Sequence, residues 1–361
     1  MARTVANGLI TQALIDTQKD ASRTPYIDIS INDNAAAGVV NYWSRLEYLE
    51  YTEEPYRDRA IIGLNNRDNA LDAIDMDGQS FAIKLGYDTT AHGGSTTDTV
   101  TYPTLWVKSH QIISDQGERI YQIYAEGAWM RLREQRVITG VTGPQDELYS
   151  STFNKTHTVY DIIELIIEGA MGWTLIDSPP DDGIIDGPFM PVLDVNRLPF
   201  EHAAALLYRL IWMTKEYLRQ RAGTTFQCVY PQDDDPVDLT YYSDKANWFI
   251  EYVEKTILLI PNKIVVLANQ DPETGDWDSL VVGEAFDYPD NFDVSGVYTG
   301  NYAEIIQPFV VGSITNKKDA DDRASAILTR LKAETLGARM VAPHDCQLEL
   351  YDKILVLDSR T

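Results

Sequence analysis

At 361 residues the chain is longer than one hydrophobic core usually organises, so two or more domains are expected. Apolar residues make up 44% and charged residues 24%, a globular balance that argues against intrinsic disorder. Asp and Glu outnumber Lys and Arg 55 to 30, giving a formal charge of −25 with no basic run, which argues against stable binding to nucleic acid or an anionic membrane surface.

The first ~140 residues read as short strands. Tyr26-Ile27-Asp28-Ile29-Ser30-Ile31 alternates cleanly, with Ile27, Ile29 and Ile31 on one face. Trp43 to Glu50, Ala60 to Leu64, Phe81 to Leu85, Val100 to Lys108 and Arg119 to Ala125 continue the series. Turn chemistry separates them at Asn65-Asn66, Asp77-Gly78, His92-Gly93-Gly94-Ser95 and Asp115-Gln116-Gly117. Strands punctuated in this way predict a barrel or sandwich.

The period then changes. Val159, Ile162, Ile163, Ile166, Ile167 and Ala170 form the stripe of an amphipathic helix, with Thr158 as N-cap, Asp161 in the first turn and Gly172 as the stop. A proline- and acid-rich loop follows, Ser178 to Gly183. A second helix is predicted from about Phe200 to Arg221, with Ala203, Leu207, Leu210, Ile211 and Leu218 on one stripe and Lys215, Arg219 and Arg221 at its C-terminal end. These two helices define a small α/β insert.

Strands return at Thr225 to Tyr230 and, split by the turn dipeptide Pro261-Asn262, over Ile257 to Asn269. Asp244 to Lys255 reads equally as helix or strand, and Asp271 to Asp276 reads as a hairpin tip. A third helix spans Asp319 to Thr335, capped near Asn316, stopped at Gly337, with Ala320, Ala324, Ile327, Leu328 and Leu331 inward. Leu348, Leu350, Ile354 and Val356 fit one or two strands within Cys346 to Asp358. The fold class is mainly β with an α/β insert (α+β): two β-barrel domains of similar fold plus a small helix-containing domain. The predicted domains are 1–145, a first barrel; 146–224, a small α/β domain with two amphipathic helices; and 225–361, a second barrel carrying the helix 319–335 and a closing strand.

Met1 to Gly8 lacks an apolar core and a cleavage pattern, and no stretch of about 18 apolar residues occurs, so neither a signal peptide nor a membrane span is expected. Cys228 and Cys346 are two cysteines in apolar surroundings, for which buried free thiols are the default and pairing is possible. The acidic excess serves solubility or, alternatively, lines a lumen through which DNA slides without sticking. The 21 tyrosines suit half-buried strand faces and protein contacts.

A search for chemistry returns no catalytic, cofactor-binding or metal-binding residues. His92, His110, His157, His202 and His344 form no HExxH or His-x-His pair and stand at no ligand spacing from a cysteine. His202, beside Glu201, reads as a capping or solvated residue at a helix start. No Walker loop, GxGxxG or GxSxG elbow is present, and His92-Gly93-Gly94 has no nucleophile to serve. Asp271, Glu273, Asp276 and Asp278 suggest a calcium loop, but Pro272 and the spacing spoil the match; Asp233-Asp234-Asp235 reads as a solvated turn.

The order of segments resembles the hub proteins of phage tail tips and baseplates, the two-barrel hubs similar to late control protein D. Trp43 to Glu50, Ala60 to Asn66 and Ile83 to Tyr87 resemble the opening barrel, and Trp106-Val107 and Ala128-Trp129-Met130-Arg131-Leu132 its next strands. Phe226 to Pro231, Leu239 to Tyr241 and Ile260 to Val266 resemble the passage into a second barrel, Ala320 to Leu328 its helix and Glu349 to Asp358 its closing strand. The resemblance implies a virion structural protein of a contractile or related injection system, assembled in the host cytoplasm. It implies a homotrimer whose paired barrels adapt a six-fold tail tube to a three-fold spike around a central DNA channel. Its partners would be a tail tube or distal tail protein, a spike or fibre and a tape-measure protein, and no catalytic residues are implied. The alternatives are a peptidoglycan- or carbohydrate-active enzyme at the tail tip and a glycan- or receptor-binding module, the latter favoured if Trp277 is exposed in its acidic loop.

Overall fold

A computed structural model describes residues 2–34, 38–115, 117–136, 158–176, 201–232, 234–256, 261–269, 277, 279–287, 304–311 and 314–360. Strands dominate, and the helices are few, as the sequence predicts.

The first part is one curled sheet. Seven strands, β1 (Pro25–Asn32), β2 (Val39–Asn41), β3 (Leu46–Glu54), β4 (Arg57–Asn65), β5 (Ser80–Tyr87), β6 (Asp98–Asp115) and β7 (Glu118–Gly127), lie in the order β2-β1-β5-β6-β7-β4-β3. The paired strands are antiparallel throughout. The predicted alternation holds: Ile29 and Ile31 are fully buried and join Ile62, Leu64, Ile83, Leu105 and Ile123 in one core. The strand expected from Trp43 begins at Leu46, because Trp43–Arg45 is a single 3-10 turn that bends the chain into β3. Strand β6 runs well past Lys108, pairing with β7 to the Asp115–Glu118 tip, where Gly117 at φ +85° supplies a conformation that L side chains rarely adopt. The β3–β4 turn is Pro55-Tyr56, with Tyr56 at φ +61°. That costly conformation for an aromatic residue is held by packing, its ring 4.8 Å from Trp129 and 5.8 Å from Tyr208.

Ala128 to Leu132, expected as a strand, is instead the start of helix α2 (Ala128–Glu134), preceded in chain order by α1 (Gln12–Thr17). The segment consists of good helix formers, and helical spacing puts Ala128, Trp129 and Leu132 together into the core of the insert. The first predicted insert helix is confirmed at its start. In α3 (Val159–Glu164) the Asp161 amide donates to Thr158 Oγ1 (3.0 Å) and the Thr158 amide to Asp161 Oδ2 (2.8 Å), a full capping box. A wider π turn, Leu165–Ala170, carries it to Gly172 at φ +67°, and the short strand β8 (Thr174–Leu175) follows.

The second predicted helix is half right. Helix α4 (Ala203–Ile211) buries Leu206, Leu207, Leu210 and Ile211 but stops there. Tyr217–Gln220 is strand β9, antiparallel to β10 (Thr225–Val229), so Lys215, Arg219 and Arg221 do not belong to a helix end. The reason is tertiary. Arg330, arriving from a distant helix, donates Nε to Thr214 O (2.9 Å) and its Nη2 to Ile211 O and Glu216 O. Its guanidinium lies over the Trp212 and Tyr217 rings. The cation takes the last helical carbonyls, and the chain leaves as a strand.

In the C-terminal part the described strands pair as smaller sheets. Strand β11 (Leu239–Tyr242) runs parallel to β17 (Ile354–Leu357), and β12 (Glu251–Thr256) antiparallel to β16 (Leu336–Val341). Strand β13 (Lys263–Ala268) lies between β14 (Val281–Phe286) and the parallel β15 (Ile306–Val311). Thus the ambiguous stretch Asp244 to Lys255 ends as a strand, and residues 257–260, like the Ser178 to Gly183 loop, lie outside the described residues. Helix α5 (Lys317–Thr335) starts two residues earlier than predicted, and Asn316 Oδ1 accepts the Asp319 amide (3.0 Å). Ala320, Ala324, Ile327 and Leu328 pack on Ile264, Val266 and Ala268. Gly337 does not stop the helix as a cap; it is already in β16, opposite Lys255. Leu348 and Leu350 lie in turns, so one strand, Ile354–Leu357, closes the chain.

The N-terminal segment joins this region to the first sheet. The Arg3 amide donates to Gln347 O (2.9 Å), Ala2 packs with Leu239, Tyr241 and Phe249, and Leu14 of α1 packs with Tyr87, Tyr102 and Cys346.

Candidate functional site

A cleft of about 920 Å³ opens where the first sheet meets the C-terminal segment. One wall is the outer edge of β3 with Leu46, Tyr48 and Tyr51; the opposite wall is the start of β1 with Pro25, Tyr26 and Ile27. Its floor comes from residues between Met340 and Ile354. Among its described lining residues tyrosine is the dominant side chain, five are carboxylates, Glu47, Glu53, Asp345, Glu349 and Asp352, and none is Lys or Arg.

Beneath it lies a buried charge cluster assembled from every part of the chain. Arg3 from the N-terminal segment and Arg219 and Arg221 from β9 and its end converge on Glu349 and Asp352. Arg221 binds Glu349 through two hydrogen bonds, 3.2 Å from Nε and 2.5 Å from Nη2. Arg219 Nη1 donates to Leu350 O (2.9 Å) and Asp352 Oδ1 (3.4 Å), and its Nη2 to Gln227 Oε1 (3.0 Å). Arg3 Nη1 donates to the carbonyls of Leu348 (2.8 Å) and Cys346 (3.2 Å). Buried charges are tolerated only when paired and hydrogen-bonded, and here the planar guanidinium forks supply both.

On the same floor, Tyr102 Oη shares a 2.9 Å hydrogen bond with His344 Nε2, and His344 Nδ1 lies 3.7 Å from Cys346 Sγ. This contact lies outside the sequence prediction, which found no histidine at ligand spacing from a cysteine. Burial holds His344 below the ordinary histidine range and pushes the Cys346 thiol up to about 12. The imidazole is therefore neutral and the thiol protonated at neutral pH, a pair unsuited to thiolate chemistry.

The remaining sequence candidates are structural. Among the described residues no group of three or more His, Cys, Asp or Glu could hold a metal. Cys228 and Cys346 are both buried, in different cores, and are not joined to each other. His92 meets Asp20 (2.8 Å), and His110 meets Asp77 (2.9 Å) while stacked on Tyr121. His202 is at the N-cap of α4 but makes no side-chain capping bond, and its carbonyl accepts the first helical amides instead. Asp235 accepts the Gln232 amide (2.8 Å), a turn contact. His157, Asp233, and the loop acids Asp271, Glu273, Asp276 and Asp278 lie outside the described residues; Trp277 is half-buried. No described helix is long and apolar enough to cross a membrane.

No protein-family model matches this sequence, and no curated protein matches it. Solved structures do. A tail protein from Neisseria meningitidis MC58 superimposes with a TM-score of 0.57 at 12% identity, covering 93% of this chain and 87% of its own. In fold, the chain is similar to phage tail proteins. The 43 kDa tail protein of prophage MuSo2 from Shewanella oneidensis gives a TM-score of 0.57 at 11% identity, covering 93% of this chain and 89% of its own. The likeness to tail proteins therefore extends over nearly the whole chain, the fold that the ordered sequence segments predict.

Proposed function

We propose that the chain is a structural component of a phage tail, the hub of a baseplate or tail tip, and not an enzyme. The observation that carries this reading is the fold likeness to tail proteins over 93% of the chain. As a homotrimer the hub adapts a six-fold tail tube to a three-fold spike or fibre and surrounds the DNA channel, where the −25 charge keeps DNA from sticking. Three domains, 1–145, 146–224 and 225–361, are part of this reading, with two similar barrels bracketing the insert. Its partners are a tail tube or distal tail protein, a spike or fibre and a tape-measure protein, and its place is the virion, after assembly in the host cytoplasm.

Light scattering on the purified full-length protein tests it. Three copies of a 40.7 kDa chain give about 122 kDa, and this or a larger ring is the expected mass. A strict monomer that also fails to retain tube and spike proteins overturns the hub reading. Clearing of cell walls in a zymogram overturns the non-enzymatic one.

A further inference from the structure

We propose that the seam between β1 and β3 accepts an extended, basic segment of a partner polypeptide as an added strand. The proposal rests on the geometry of this seam and stands apart from the hub reading.

The seven-stranded sheet has an opening. Strand β3 is a terminal strand, paired with β4 along its inner edge, and among the described residues no strand pairs with its outer edge. Strand β2 covers Ser30, Ile31 and Asn32 of β1 and the Tyr42 amide takes the Ile29 carbonyl (2.9 Å), so residues 25–28 have one edge without a strand partner among the described residues. These two bare edges line the same cleft. Unpaired backbone N–H and C=O groups along an apolar groove are the recognition surface used in strand addition.

Charge selects the occupant. Strand β3 contributes Glu47, Glu50, Glu53 and Glu54 and no basic side chain, and the described residues of the cleft lining include no Lys or Arg. Glu349 and Asp352 are neutralised by the arginines beneath them and Glu53 feels the Arg3 charge, which leaves Glu47 and Asp345 lining the groove outside the described ion pairs. Tyr48 is 37% exposed, and Tyr26 pairs with Trp43 at 5.9 Å, so aromatic rings share the cleft lining with those carboxylates. Carboxylates beside aromatic rings suit Arg and Lys, which pair with the first and stack on the second. A second copy of a chain with charge −25 would bring like charge to the edge, and β3's acids oppose such self-pairing.

The test uses the full-length protein, the capped octapeptide (Arg-Val)4, its (Glu-Val)4 counterpart and the double variant Glu47→Lys, Glu50→Lys, whose changed side chains are exposed. Calorimetry is expected to show binding of the basic peptide alone, weakened roughly tenfold in the variant by loss of two charge pairings. Hydrogen exchange is expected to slow at the amides of β3 and residues 25–28. Absence of binding, equal affinity for the variant, or protection confined to other strands overturns the proposal. Protection of the same amides by self-association, or by a chitin oligosaccharide when the peptide fails, reassigns the seam to a second copy or a glycan and overturns it equally.

Discussion

Glu53 and Asp58 stand directly opposite each other across the β3–β4 hairpin, a like-charge pair in one cross-strand position. Asp58 is 7% exposed and packs against Gly127, where a methyl group would crowd its side chain. Such a pair is unfavourable if both carboxyls ionise, and the fold keeps one proton in it. Burial, reinforced by Glu53 and opposed by a backbone hydrogen bond, raises Asp58 to about 8, and burial raises Glu53 as well.

The folded state therefore binds a proton at Asp58 that the unfolded chain releases near pH 4, its ordinary carboxylate value. Stability contributed by this residue is greatest below pH 4, declines as pH rises and levels off above about 8. Asp58→Asn should flatten thermal stability across that window, leaving it little changed at pH 4 and raised at pH 8 by on the order of a few kcal/mol. Parallel melting curves at the two pH values check this, and an unchanged slope would refute the assignment.

Removing Arg219 should be among the most damaging substitutions in the chain. It is 2% exposed and touches Asp352, Gln227 and a main-chain carbonyl at once. Arg219→Ala removes the guanidinium beside the buried Asp352 and weakens the cluster on Glu349, a loss of about 3–5 kcal/mol in urea unfolding. Arg219→Lys should recover little, since one ammonium cannot reproduce the fork.

Arg330 closes the end of α4 from another part of the fold. Its guanidinium serves the carbonyls of Ile211, Thr214 and Glu216. Arg330→Leu keeps a long side chain but withdraws the guanidinium from these buried carbonyls, each such bond worth about 1–3 kcal/mol, while Ile211 O keeps the Thr214 amide and hydroxyl. A loss of at least about 3 kcal/mol by denaturant titration is expected, with near-ultraviolet dichroism of Trp212 and Tyr217 changing in step.

Gly283 lets α5 approach the β13–β14 sheet. A side chain there would overlap the main chain of Ala320, which cannot swing aside, while the Glu284 amide donates to Asp321 Oδ1 (3.0 Å). Gly283→Ala should cost about 1–3 kcal/mol in thermal unfolding, as overpacking does. Gly78→Ala makes a useful contrast: open space surrounds that position, and its penalty would come from φ +76° alone.

Local periodicity told most about the secondary structure. Ile29 and Ile31 alternate into the sheet core, and the stripe from Val159 with Thr158 as cap forms because both signals act within a few residues. The errors fall where distant residues intervene. Ala128 to Leu132 joins the helical core because of what α4 offers it, and Arg330 ends α4 from more than a hundred residues away. The site was the least legible part. Arg3, Glu53, Arg219 and Glu349 are single charged residues, scattered along the chain from Arg3 to Glu349, and no local pattern marks them as neighbours.

Composition and order of segments thus determined a mainly β, acidic protein with a helical insert and no recognisable catalytic motif, because period, caps and charge are properties of short stretches. Tertiary structure alone decided that β3 ends its sheet with an acidic edge that no described strand covers, that tyrosines from β1, β3 and the C-terminal turns share one cleft, and that three arginines meet two carboxylates beneath it. Those are relations between segments far apart in the chain, set by how the sheet curls and which ends of it remain unpaired.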